Sequence, residues 1–72
     1  MTLGSRIKQH RQDKGLNMRE FGEFIDNASD SIVSRWEKDI SKPNVKRLKL
    51  IADDMNITVT ELLNGSEKDG NI

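Results

Sequence analysis

Ser29-Asp30-Ser31-Ile32-Val33-Ser34-Arg35-Trp36-Glu37-Lys38 is the stretch on which the fold turns. Ile32, Val33 and Trp36 recur at helical spacing and place their apolar side chains on one face. Asp30, Ser31, Ser34 and Arg35 take the other face. Ser29 stands immediately before them and can cap the first turn. The segment predicts a short rod with an apolar back and a polar front. At this spacing Trp36 reads as core rather than as a stacking platform.

On the N-terminal side, Asp26-Asn27-Ala28 reads as a turn. Before it, Asn17 and Glu20 stand three apart, a capping-box arrangement with Asn in place of Ser or Thr. They open a second helix whose apolar stripe is Phe21, Phe24 and Ile25, with Gly22 between; both Phe residues read as core. Thr2 can cap a first helix over residues 3–14, which Gly15 ends in the left-handed conformation. Its inner face carries Leu3, Ile7 and Arg11, with His10 beside them as a boundary residue. On the C-terminal side, residues 39–43 form a loop in which Pro43 bars helix continuation. Asn44 caps a fourth helix with Leu48, Ile51, Ala52 and Met55 facing inward, and Asn56 follows as its C′ residue. Thr58 and Glu61 make another capping box and open a short last helix with Leu62 and Leu63. The expected fold class is all-α: a compact five-helix bundle whose second and third helices have helix-turn-helix spacing. The expected domain covers residues 1–64, with residues 65–72 as a flexible tail.

The chain has 72 residues, which bounds it to one domain. A chain this short buries only ~60% of its unfolded surface, so it has one small core. It contains no Cys, which excludes a disulfide, a thiolate zinc site and a cysteine nucleophile. Its single His leaves any metal or His-based catalytic site short of partners. There is no Gly-rich phosphate loop, and the adjacent Asp53 and Asp54 point different ways on one helix. No enzymatic activity, cofactor, metal or small-molecule ligand is expected. No apolar run spans a bilayer and no signal core opens the chain, so the reading is a soluble cytoplasmic protein with no membrane partner.

Formal net charge is zero, but it is distributed in blocks. Residues 1–18 and 35–49 are basic; residues 19–34 and 50–72 are acidic. Folding can gather the basic blocks on one face, and a one-sided field steers a polyanion even when the total vanishes. The alternative is a mixed, solvated surface.

Residues 3–63 resemble the phage-repressor/Cro-type helix-turn-helix domain, the XRE family. The resemblance is carried by Leu3-Gly4-Ser5-Arg6-Ile7-Lys8, Arg11, Lys14-Gly15-Leu16-Asn17, Glu20-Phe21-Gly22-Glu23, Ile32-Val33-Ser34-Arg35-Trp36-Glu37-Lys38, Lys42-Pro43-Asn44, Leu48, Ile51-Ala52 and Glu61-Leu62-Leu63. It implies a lambda-repressor-like DNA-binding fold with the third helix in the major groove and the second across the backbone. Asp30, Ser31 and Arg35 match positions that touch bases in relatives, and Ser34 adjoins them. Arg35 has the fork that pairs with guanine O6 and N7. Asp30 either accepts from cytosine N4 or supports its helix N-terminus. Phosphate contacts are expected from backbone N–H groups at the start of the second helix, near Asn17, Met18 and Arg19, and from Lys38 and Lys42 on the loop. Lys46, Arg47 and Lys49 fit a solvated helix face. Arg11 and Glu37 match a buried structural ion pair.

Three departures stand out. Met18 occupies a position where the family most often has Gln, Gly22 one where Ala is usual, and the turn at residues 26–29 is one residue longer than the commonest form. The resemblance implies a phage or bacterial transcriptional regulator, a repressor that occupies a palindromic double-stranded DNA operator as a homodimer. Ile57, Val59, Leu62, Leu63 and either Leu50 or Ile72 are candidates for the dimer contact, unless Ile57 and Leu62 close the monomer core. The rival reading is a protein-interaction module, antitoxin-like or regulator-binding.

Overall fold

Side-chain caps start the helices. In the computed structural model, which describes residues 2–70 and their side chains as far as residue 64, five helices follow one another. They are α1 (Leu3–Asp13), α2 (Met18–Phe24), α3 (Asp30–Glu37), α4 (Val45–Met55) and α5 (Val59–Gly70). Thr2 and Ser5 form a capping box on α1, Asn17 and Glu20 one on α2. Thr58 and Glu61 exchange the same pair of bonds at the start of α5, both 3.0 Å. The hydroxyl of Ser29 accepts from the Ile32 N–H on α3, and the Asn44 side chain accepts from the Arg47 N–H on α4. Each cap satisfies an amide that has no partner within its helix. Gly15 (φ 71°) turns the chain after α1, and Asn56 (φ 61°) does so after α4. The α5 backbone continues past Leu63, where the sequence pattern ended it. The expected tail at residues 65–72 falls outside the described side chains.

The core is one cluster centred on α3. Ile7, Phe21, Ile25, Val33, Trp36, Ile51, Ala52 and Leu62 are all but fully buried, with Leu48 and Ala28 beside them. Burying a large apolar side chain contributes roughly 1.5–3 kcal/mol, so a handful of such residues decides whether a chain of this size folds. Two expectations are corrected here. Phe24 is not core: it is 67% exposed, and Ile25, where α2 ends, turns inward in its place. Ala28 is not merely a turn residue: it is 3% exposed and belongs to the cluster.

Polar contacts tie α1 to its neighbours. The Arg11 guanidinium forms a two-pronged bond to Glu37, Nε to Oε2 at 2.6 Å and Nη2 to Oε1 at 3.0 Å, and Nη1 donates to the Leu16 carbonyl. Both side chains are largely buried, and the Glu37 hydrogen bond holds Arg11 above its ordinary pKa against the opposing effect of burial. The N–H of Gly4 donates to Asp39 Oδ1 at 2.9 Å, and a Cβ on Gly4 would lie 2.4 Å from the Trp36 carbonyl oxygen. Glycine is needed there so that α1 can meet the end of α3. Asp54 of α4 holds the other end of α1 through His10 (2.6 Å) and Lys14 (2.9 Å). Arg6 donates to the carbonyls of Glu61 and Leu62 on α5.

Candidate nucleic-acid interface

With Val33 and Trp36 turned into the core, the opposite side of α3 faces outward. Asp30, Ser31 and Arg35 are exposed, and Ser34 is half-buried. These four residues, with Met18, Lys38 and Ile40, line one broad, open depression of about 410 Å³. The structure therefore brings together the four residues that the sequence placed on the polar front, and adds Met18 from α2 and Lys38 from the end of α3. Asn17 and Arg19 flank Met18 in sequence, and both are exposed, as is Lys42 on the following loop. None of these three lines the depression itself.

Ile40 is the residue that sequence reasoning missed. Its N–H donates to the Arg35 carbonyl (2.9 Å), which folds the loop back over the end of α3 and leaves the side chain 68% exposed at the rim. The signal available was weak: a lone apolar residue in a loop looks like any other scattered surface residue.

The arrangement of charge explains how a neutral chain acquires a basic face. Arg11 and Lys14 are engaged by Glu37 and Asp54, and Arg6 by the α5 carbonyls. Lys46 pairs with Asp26 at 3.4 Å. Arg47 is not on a fully solvated face. Its guanidinium lies 5.9 Å from the Trp36 ring centroid and donates to the Asp26 carbonyl, and its Nε is buried without a partner. Among the described residues no carboxylate is within ion-pair distance of Arg35, Lys38 or Lys42. The N-terminal basic block is spent largely on internal contacts, and unpaired positive charge remains at α3 and the loop after it.

Among the described residues no group of His, Cys, Asp or Glu is placed to hold a metal ion, and no helix is long and apolar enough to cross a membrane. His10 bonds Asp54 and meets the Phe21 ring edge-on at 6.2 Å. Leu62 is fully buried and closes the monomer, which removes it from the candidate dimer contacts. Leu63 is 46% exposed, while Leu50, Ile57 and Val59 are half-buried against the core. Ile72 lies outside the described residues.

Two helices joined by a tight turn, the second with a buried back and an open polar front, define a helix-turn-helix domain. The Helix-turn-helix family (HTH_3) matches residues 7–62, and the chain belongs to it. It is 31% identical over 67 residues to the HTH-type transcriptional activator BcrR of Enterococcus faecalis. That match covers 93% of this chain and 32% of BcrR, so the chain spans about a third of that relative's length. The P22 c2 repressor protein, solved in complex with synthetic operator 9T, shares the fold: the TM-score is 0.81 at 23% identity. The likeness covers 90% of this chain and 97% of that one.

Proposed function

We propose that this protein is a sequence-specific double-stranded DNA-binding regulator of transcription. The observation that carries the reading is the depression on α3, where Asp30, Ser31, Ser34 and Arg35 stand together outside a buried Val33–Trp36 face. An α-helix fits the major groove, where each base pair shows a distinct set of donors and acceptors. Arg35 reads guanine, and Ser31 and Ser34 bond base edges or phosphates. Asp30 stands at the first position of α3, where a carboxylate favours the helix N-terminus and also reaches cytosine N4. Met18 and Ile40 give the depression an apolar part of its lining, suited to the thymine methyl. The backbone N–H groups of Met18 and Arg19 and the side-chain amide of Asn17, whose own N–H is held by Glu20, contact phosphate at the start of α2, and Lys38 and Lys42 add charge beside α3.

The regulator acts by occupying an operator and altering polymerase access, in a bacterial or phage setting and in the cytoplasm. The P22 c2 repressor is seen on operator DNA and BcrR is an activator, so both directions of control occur among its relatives. It binds as a homodimer, and the two-fold symmetry of such a dimer calls for a palindromic site with half-sites about one helical turn (~34 Å) apart. Retention on random duplex DNA, followed as salt rises, tests the reading. Steeply salt-sensitive retention supports it, and flow-through at low salt would instead support the protein-interaction alternative. Selection of bound sites from random duplexes then reports sequence preference, symmetry and spacing together.

A further inference from the structure

The turn between α2 and α3 lies hard against α2. A Cβ on Gly22 would sit 1.9 Å from the Ala28 carbonyl oxygen and 3.2 Å from Val33 Cγ2. Non-bonded Cβ contacts are not this short, and the oxygen at 1.9 Å is backbone, which cannot swing aside as a side chain would. The same two residues are bonded: the Ala28 N–H donates to the Gly22 carbonyl at 2.9 Å, and so does the Ile25 N–H. Between them, Asp26 and Asn27 both take positive φ (54° each), the region that Asp and Asn enter more readily than other non-glycine residues. This double left-handed step carries the chain back over Gly22 and buries Ala28 in the core. Ser29, the cap of α3, follows directly.

We infer that Gly22 and the turn at residues 26–29 are one coupled unit, and that Gly22 is a positioning residue that sets where the N-terminal end of α3 sits. A glycine at this place in α2 is unfavourable for the helix by up to about 1 kcal/mol relative to alanine. Contact with the Ala28 backbone explains its presence: the bare Cα leaves room for the extra turn residue. Asp30 and Ser31 begin α3 immediately beyond this turn, so its path fixes their depth at the interface. The functional half of the inference rests on the DNA-binding reading above.

Three variants test it: Gly22→Ala, deletion of Asn27, and the two combined. Thermal melts read the coupling; selection of preferred duplexes and salt-dependent DNA retention read the positioning. Gly22→Ala is expected to lower Tm on the order of 10 °C or more through overpacking, or to prevent folding. The combined variant is expected to recover much of that loss, because a shorter turn draws the Ala28 carbonyl away from the new methyl. It is also expected to keep salt-sensitive retention while preferring different bases at the positions read by the start of α3. An unchanged Tm for Gly22→Ala, or a combined variant no more stable than Gly22→Ala alone, overturns the coupling. A combined variant that recovers stability and selects the same bases overturns the positioning role. If the unaltered chain shows no salt-sensitive retention, the DNA-binding reading fails and the positioning role with it, while the melts still decide the coupling.

Discussion

Arg35 and Lys42 are both exposed cations, yet they differ in what each can contribute. Arg35 lines the depression and has no carboxylate partner among the described residues, so its planar fork is free for a guanine edge. Replacing it by Ala is expected to cost about 1–3 kcal/mol of binding and to relax preference at one base pair per half-site. Binding curves on the selected operator and on single-base variants measure this; uniform weakening across all sequences removes Arg35 from base reading. Lys42 stands off the depression on the loop and is expected to act on phosphate alone. Lys42→Ala should weaken every sequence alike and reduce the slope of log affinity against log salt by about one, with an unchanged slope excluding a backbone contact. At this scale the sequence was informative about identity and face, because periodicity alone separates Asp30, Ser31, Ser34 and Arg35 from Ile32, Val33 and Trp36. It was uninformative about Phe24, since a stripe of three apolar residues does not show which one the end of a seven-residue helix turns outward.

A few polar ties join the helices around the apolar core. The Arg11–Glu37 pair joins α1 to α3 and is largely removed from water. Glu37→Ala leaves a buried cation without its partner and is expected to destabilise the fold by about 3–5 kcal/mol, whereas replacing both residues by apolar side chains should cost far less. Chemical denaturation of the single and double variants measures the difference. Asp54 joins α1 to α4 differently. Burial raises its carboxyl pKa, but the hydrogen bonds from Lys14 and His10 outweigh this and leave it below the ordinary 3.8. Because the folded value is the lower one, the stabilisation is fully present above pH 3.8 and is lost as pH falls through the folded value. Asp54→Asn should therefore melt earlier than the unaltered chain at neutral pH, with the gap closing in acid; a gap that persists at low pH contradicts the clamp. Sequence spacing gave the caps at Thr2, Asn17, Ser29, Asn44 and Thr58 because each acts within one turn. It could not give the contacts of Gly4 with Asp39 or of Gly22 with Ala28, which depend on how two helices or a helix and its turn approach each other.

For the molecule as a whole, neutrality and DNA binding are compatible because folding sorts the charge. The acids of α3 and α4 neutralise much of α1, and the cations left unpaired include those on and after α3. Two-fold binding predicts that selected duplexes contain inverted repeats, with Leu63 and its half-buried neighbours at the subunit contact. Selection that returns a single unrepeated half-site would exclude the dimeric mode on DNA. The chain's amino-acid order alone determined that it is helical, where its helices start, and which face of residues 29–38 meets the core. Those are local matters, governed by dihedral preference, caps within one turn and the 3.6-residue period. The tertiary structure alone decided which cations remain free, that Ile40 reaches the rim of the depression, that Leu62 is core rather than contact, and that a glycine must underlie the turn. These outcomes depend on distances between residues far apart along the chain, and only packing sets those distances.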